Sequence, residues 1–600
     1  MESGNVSGVS VSQNERSCVD AILNDELIGN VNTNDFDKDG VPMQFHCFAR
    51  RIHNDQNPTV TSALAGPDKE QWEGAVVDEV QNNLLKSGDV CLQPVDQCPI
   101  GLSVTYLTFV LKKKVKPNRV DRYKARGCGR GDLMKKAMSV ETYSPTVSSI
   151  TCAALQQLAV IDEMHEALVD TVGAFLSQSY PDNLPPIYVK LERRVAELCK
   201  LDPGQVYRVV KYLYGIPDAG RAYYKAYSGL LVAKGYQQSK YDPCLFHKTS
   251  SEGVVYAWIH VDDTWVAASS DALLKSFVKD VETKFEVTVE PVDNYLGVHY
   301  QKLEDGSVQK TQPKLLEDLF EKHHIVNRPL VKTPGLVASG GPRDSTPFDS
   351  TTFLCLLGSL LYVLCSRPDI GFAVSWAATK ANTPTVSDWK DLLRCLQYLY
   401  QTREKGLIIY KQPKGCPLQM YIYVDASYLL YPDSKAQTGY SFSINDIGTF
   451  HSKSQKQPIV TTSSTHSEMR AMFVAVCQYV FLMHLFEEIG RPFINPAVAC
   501  EDNQPVVTLL KRERAMPKQC KHFMMLVNYV RELVQQGVVD IRKVWTYDNY
   551  ADIFTKHVQG RDFQYKRQKV LGRQEGEPLL EPVVPVKKVA QDDSPVVPSA

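Results

Sequence analysis

The sequence has fifteen cysteines, yet none fall in a CxxC pair or a Cys/His finger pattern. That excludes a zinc-knuckle or disulfide-framework reading and suits reduced thiols in an intracellular protein. Net charge is close to zero, at −1. Whole-chain charge therefore advertises no nucleic-acid partner, and any such claim must rest on local charge. The N-terminal stretch MESGNVSGVSVSQNERS has no apolar core of the kind a secretory signal needs. The uncharged, apolar stretch 350–366 is shorter than the roughly 20 residues of a membrane span. No internal repeat is present. The expectation is a soluble, intracellular chain with no membrane partner.

What is there is ordinary globular composition: 44% hydrophobic, 22% charged and 10% aromatic over 600 residues. That length is too great for one core and suggests roughly four units at about 150 residues each. Residues 1–60 are polar and weakly patterned, and are read as flexible. A helix is expected from Ala63 to Leu84, and a strand, turn and strand over 104–126 with a basic centre. Glu166 to Phe175 reads as a strand running into a turn, and 271–285 as a helix. Residues 254–269 are β-branched and apolar around a charged dipeptide, which predicts a hairpin. Asp305-Gly306 marks a second hairpin within 295–311. Residues 329–350 read as a linker rich in Pro, Gly, Ser and Thr, and 351–415 as helical. The block 418–556 runs β-β-β-α-β-α, which predicts a mixed sheet with helices packed on it. The tail, rich in Pro and Val from Glu577 on, is expected to be disordered.

Two constellations of acids stand at the ends of these elements. Asp170 closes an apolar strand, and Asp262-Asp263 interrupts two others. Charges between apolar runs are costly unless they lie at a turn or bind a cation. Three carboxylates brought together repel one another, and a pair of Mg²⁺ ions relieves that. Such a pair, about 3.5–4 Å apart, suits in-line phosphoryl transfer. The bland alternative is a solvated turn with unrelated aspartates. In the later block, Asp425 ends an alternating strand, Glu468 opens a helix, Asp502 follows a strand and Asp552 starts a helix. Alternatives stand here too. Thr465-x-x-Glu468 fits a capping box, Asp425 a turn residue, Asp552 a helix cap, and Glu501 rivals Asp502 as a ligand.

Taken in order, these segments resemble the Ty1/copia family of retrotransposon polyproteins. HVDD at 260–263 is similar to the YVDD box of reverse transcriptases, and DTVGAF at 170–175 to the first-aspartate box D-V-K-T-A-F. LYGIPDAGRAYY at 213–224 resembles L-Y-G-L-K-Q-A-P-R-A-W-Y, and RYKAR at 122–126 is identical to the fingers motif. YDPCLF at 241–246, YLGV at 295–298 and GSLLYVLCSRPDIGFAV at 358–374 follow in order. YVDASY, SSTHSEMRA, CEDNQPV, KQCKHFMMLVNYVRE and YADIFTK resemble the family's ribonuclease H boxes. The resemblance runs from about Ala63 to Lys556.

The resemblance implies an α+β multidomain chain. A right-hand polymerase (fingers, palm, thumb) over 61–328 is followed by a linker and connection segment over 329–415. A ribonuclease H-like α/β domain over 416–560 and a disordered tail over 561–600 complete it. It implies that Asp170, Asp262 and Asp263 bind metal for polymerisation, Asp170 and Asp262 directly, with the Thr171 carbonyl as an extra ligand. Asp425, Glu468, Asp502 and Asp552 would do so for RNA hydrolysis. Two Mg²⁺ per site are implied, with Mn²⁺ as a substitute. Lys124 and Arg126 would hold the triphosphate, in a segment (111–136) with eleven basic and two acidic residues. Phe175 would be the sugar gate against a ribose 2′-hydroxyl, His260 would lie under the primer terminus, and His522 near hybrid or product. Implied partners are RNA and DNA template/primer, RNA–DNA hybrid and dNTPs, with a tRNA primer and a Gag particle. The implied location is the cytoplasm, in virus-like particles, with access to the nucleus.

Departures from the family pattern are Val172, Gly173, Asp218, Gly220 and His260. Asp218 would put a carboxylate near the nucleic acid. These departures favour a second reading, a non-catalytic nucleic-acid-binding relic of the same fold. Retention of all seven acids opposes it, and opposes equally a spliceosome-like scaffold on a polymerase fold. No Asp-Ser/Thr-Gly protease box and no HHCC integrase head are present. The expectation is a fragment of a larger polyprotein or a truncated element.

Overall fold

The computed structural model describes residues 58–582 apart from 87–88, 101, 117–118, 132–141, 327, 337–342 and 513–517. The expected flexibility of 1–57 and disorder of 583–600 lie outside the described residues.

The first helix is not continuous. Gly66-Pro67 separates a short turn, Val60–Ala63, from α1 (Lys69–Asp78), because proline lacks the N–H that a helix interior needs. A π-helical turn, Glu79–Leu84, extends α1. A basic hairpin follows, β1 (Thr108–Lys116) against β2 (Arg119–Cys128), with Lys112 opposite Lys124 and Val110 opposite Arg126. Its apolar face buries Leu111 and Ala125 against α1. A second sheet, of four short strands, shares that core.

The central sheet has six strands: β3 (His165–Thr171), β4 (Gln237–Gln238), β5 (Leu245–Ser250), β6 (Gly253–His260), β7 (Asp263–Ala268) and β8 (Val287–Glu290). Their spatial order is β8-β3-β7-β6-β5-β4. The expected hairpin is β6–β7, and its two-residue turn is Val261-Asp262. Helix α2 (Ser149–Ile161) covers one face of the sheet with Trp258 and Trp265. Helices α3 (Ala219–Ala233) and α4 (Asp271–Glu282) cover the other with Tyr223, Tyr227 and Phe277. The second expected hairpin pairs Val298–Lys302 with Val308–Thr311, and Gly306 takes φ +86° in its turn. That pair belongs to a four-stranded sheet whose last strand is Leu407–Ile409, inside the block expected to be helical. The helices of that block are α5 (Ser350–Val363), α6 (Gly371–Ala378) and α7 (Val386–Gln401).

The last sheet comprises β9 (Leu418–Ser427), β10 (Lys435–Ile444), β11 (His451–Val460), β12 (Phe493–Glu501) and β13 (Val539–Lys543). Its order is β11-β10-β9-β12-β13, antiparallel over the first three strands and parallel from β9 to β13. The sequence reading missed β13, a short strand after two helices. Helix α8 (Ser464–Glu488) crosses this sheet, and helices α9 (Gln504–Lys511) and α10 (Met524–Gln535) complete the layer. By length and composition α8 could cross a membrane, but 72% of its apolar window is buried inside the protein. It is apolar around its circumference because it is packed on most sides. Helix α11 (Gly560–Leu571) corrects the expected disorder of 561–600: Phe563, Tyr565, Val570 and Leu571 are buried. Its apolar spacing is masked in the sequence by the neighbouring Pro/Val tail.

The central and last sheets share one hydrophobic core, running from Ile150 and Trp265 to Met469 and Phe486. Polar contacts fix the join. Arg491 grips Asp162 through two bonds of 2.8 and 2.7 Å, and Glu488 accepts the Lys240 backbone N–H at 3.0 Å. The thirteen described cysteines are all free thiols.

Candidate active sites

The first site forms where β3 ends beside the β6–β7 turn. Register puts Asp170 directly opposite Asp263, and Asp263 opposite His260. Partners in this position share a face of the sheet, with Cβ atoms about 4.5–5.5 Å apart. Asp262 occupies the turn itself, and its carbonyl accepts the Thr171 N–H at 3.3 Å. Val261, before it, takes φ +60°, a conformation costly for a β-branched residue. All three aspartates are half-buried. Thus the acids of 170 and 262–263 converge on one sheet edge. Burial pushes the His260 imidazole below its usual range, with Asp262 pulling the other way.

Aromatic rings connect this edge to the basic hairpin. Arg126 lies over the Tyr214 ring at 5.0 Å, and Phe175 meets Tyr214 edge-on at 5.1 Å. Phe175 also meets Tyr223 at 6.3 Å, and the Tyr223 hydroxyl bonds Thr171 Oγ1 at 2.7 Å. Arg126, Phe175 and the strand carrying Asp170 are therefore contiguous. The glycines of 127–131 permit the approach. Gly129 N–H donates to Tyr214 O at 2.7 Å, and a Cβ on Gly215, whose φ is +83°, would stand 2.4 Å from Gly129 O. Buried Glu79 accepts the Gly127 N–H at 2.8 Å behind Lys124 and Arg126. Asp218 does not face outward. It is buried, accepts the Tyr212 hydroxyl at 2.7 Å and sits at the N-terminus of α3, where a carboxylate is favoured.

The second site lies across β9, β12 and the start of α8. Among the described residues, two groups of three acids have ligand oxygens all within 4.8 Å of one another: Asp425, Asp502, Asp552 and Glu468, Glu501, Asp502. Asp502 belongs to both. Asp425 lies within β9, opposite Gly439, not at a turn. A Cβ on Gly439 would stand 2.8 Å from Phe554 Cβ and 3.1 Å from Ala551 O, so glycine lets the 3₁₀ turn Tyr550–Phe554 lie on the sheet. That turn delivers Asp552, and its cap is Asn549, not Asp552. Nor is Glu468 a cap: Ser463 caps α8 by accepting the His466 N–H, leaving Glu468 buried at the site.

Charge here is partly balanced from within. Asp552 pairs with Lys556 and, at 2.5 Å, with buried Lys566. Lys556 also lies 3.8 Å from Asp425, which accepts the Thr555 hydroxyl. Burial pushes the Asp425 carboxyl up to about 7, with Lys556 opposing and Asp552 and Asp502 adding to the rise. Burial and the neighbouring acids also raise Glu468 and Glu501. Thr555 and Lys556 lie inside the YADIFTK box, so a signal for them existed. Lys566 had none. His522 is exposed on the turn Lys518–Phe523, bonds Thr462 through Nε2 and meets His466 edge-on at 5.2 Å.

The chain thus presents two acidic sites, one beside a basic hairpin and one on a mixed sheet with five clustered acids. Residues 87–337 match the family described as reverse transcriptase (RNA-dependent DNA polymerase). The chain is similar to Pol polyproteins of transposons. It is 26% identical over 548 residues to the retrovirus-related Pol polyprotein from transposon RE2 of Arabidopsis thaliana, covering 89% of this chain and 36% of that protein. It is 25% identical over 537 residues to the Pol polyprotein from transposon TNT 1-94 of Nicotiana tabacum, covering 86% of this chain and 39% of that one. The chain thus spans little more than a third of the length of these relatives. The crystal structure of LC11-RNase H1 in complex with RNA/DNA hybrid aligns with 23% of this chain and 94% of its own, at 15% identity and a TM-score of 0.18.

Proposed function

We propose that the chain is an RNA-directed DNA polymerase with ribonuclease H activity on RNA–DNA hybrids, both by two-metal-ion phosphoryl transfer. The observation that carries this reading is the gathering of acids remote in sequence at two separate sheet edges. The β1–β2 hairpin would be the fingers and the six-stranded sheet the palm, with the thumb after it. Asp170, Asp262 and Asp263 would hold two Mg²⁺ at the first edge, with Mn²⁺ as a substitute. The carboxylate-only donor set suits such hard cations. Bound there, the ions supply activation of a primer 3′-hydroxyl and charge neutralisation of the leaving pyrophosphate.

The side chains do the rest. Lys124 and Arg126 bind the triphosphate of a dNTP, Arg126 being braced on Tyr214. Phe175, held between two tyrosines, blocks a ribose 2′-hydroxyl. His260 supports the primer terminus. At the second edge Asp425, Glu468, Asp502 and Asp552 would hold the ions, and His522 meets hybrid or product. The buried, unpartnered Oε2 of Glu468 fits a cation. Template, primer and hybrid are the substrates. A tRNA primer, a Gag particle, and a cytoplasmic location in virus-like particles with access to the nucleus follow from the related elements.

Primer extension on poly(rA)/oligo(dT) with Mg²⁺ tests the reading. Extension by the wild type should fall roughly 10²-fold or more in Asp262→Asn while hybrid cleavage persists. Asp425→Asn should show the reverse. No incorporation by the wild type would instead identify a non-catalytic relic.

A further inference from the structure

Glu501 ends β12 immediately before Asp502 and is fully buried, with 0% of its surface exposed. Its Oε1 accepts the Asn503 N–H at 2.8 Å, as a loop-stabilising residue would. Its Oε2 has no hydrogen-bond partner, although it is buried. Glu468 Oε2, arriving from α8, is buried and unpartnered as well. Leaving a buried acceptor unsatisfied is costly, and more so when it is charged. Two such oxygens in one place call for a shared donor or cation.

Among the described residues no ammonium or guanidinium bonds these oxygens. Lys556 and Lys566 are paired with Asp552, Lys556 and Lys543 reach Glu468 and Glu501 only through longer-range charge, and Glu468, Glu501 and Asp502 form no ion pair among the described residues. These three offer oxygens within 4.8 Å of one another. The chain leaves the strand after Glu501, so the pleat no longer forces residues 501 and 502 to opposite faces.

We propose that Glu501 is a metal ligand, forming with Glu468 and Asp502 a divalent-cation site distinct from the Asp425–Asp502–Asp552 site. The second edge then uses five carboxylates, with Asp502 bridging two ions. Hard ions of the Mg²⁺ and Mn²⁺ class suit an all-oxygen set. This assignment rests on the hydrolase reading above only in that the ions serve the same edge.

Mn²⁺ titration of the full chain, with free ion read by electron paramagnetic resonance, tests it. The background is Asp170→Asn/Asp262→Asn, which disables the first edge. That background should bind two ions. Glu501→Gln keeps an acceptor for Asn503, so it should keep one ion and weaken the other at least ~10-fold, with an unchanged metal-free melt. Glu468→Gln should weaken the same ion, giving a second measurement if Glu501→Gln folds poorly. Asp502→Asn should weaken both. Two ions of undiminished affinity in Glu501→Gln overturn the assignment and leave the hydrolase reading intact. A background chain that binds no Mn²⁺ overturns both.

Discussion

Asp170 and Asp263 stand directly opposite each other on neighbouring antiparallel strands, with Asp262 in the adjoining turn. That register depends on a two-residue turn in which Val261 takes φ +60°. Val261→Gly should relieve about 1–2 kcal/mol of left-handed strain, partly offset by glycine's greater freedom in the unfolded chain. The expected outcome is a raised melting temperature with slower primer extension, because the turn holding Asp262 loosens. A lower melting temperature would show that the turn is not strained.

Phe175 is wedged between Tyr214 and Tyr223 five residues after Asp170. Replacing it with valine opens space at the sugar. Discrimination against ribonucleotides should drop roughly 10-fold or more, with deoxynucleotide use affected less. Single-turnover incorporation of dNTP against rNTP measures this. Unchanged selectivity would reduce Phe175 to a packing residue.

The Asp425 carboxyl, raised by burial to about 7 from an ordinary value of 3.8, gives stability a defined slope with pH. The folded state binds this proton more tightly than the unfolded state. The contribution is therefore complete below about pH 4 and is lost as pH rises through about 7. Without divalent ions, thermal stability should fall over that window. Mg²⁺ should restore more of it at pH 8 than at pH 6, since a ligating carboxylate must be deprotonated. Melts with chelator or Mg²⁺ across pH check the sign, and Asp425→Asn should flatten the slope.

Arg491 and Asp162 are both mostly buried and form a two-bond pair across the join of the two sheets. Arg491→Ala should cost roughly 1–3 kcal/mol, since Asp162 is left with no matching donor. Denaturant melts should show the loss as an earlier transition, and two separated transitions would mean that the units uncouple.

The legible parts of the sequence were those with local signatures. Asp305-Gly306, the β6–β7 hairpin and the acids at strand ends each declare themselves within a few residues. Less legible was anything set by partners far along the chain. Strand β13 is five residues long and, among the described residues, pairs only with β12, so its short pattern carries little weight alone. Helix α11 was hidden beside a Pro/Val tail, although its apolar face packs on residues from α7, such as Tyr398 against Phe563. Asp218 read as a repulsive outward charge because nothing nearby announced Tyr212 as its donor. Glu468 had a complete local explanation in a capping pattern, and only the folded sheet shows Ser463 doing that work.

Lys566 is 1% exposed and held against Asp552 at 2.5 Å. A cation so thoroughly enclosed cannot diffuse away as a solvated ion does. The second acidic site thus keeps a chain-tethered lysine paired with Asp552 whether or not an ion is bound there. Mutual repulsion among the acids is tempered even in an ion-free protein, and the 3₁₀ turn bearing Asp552 has an anchor that chelation does not remove.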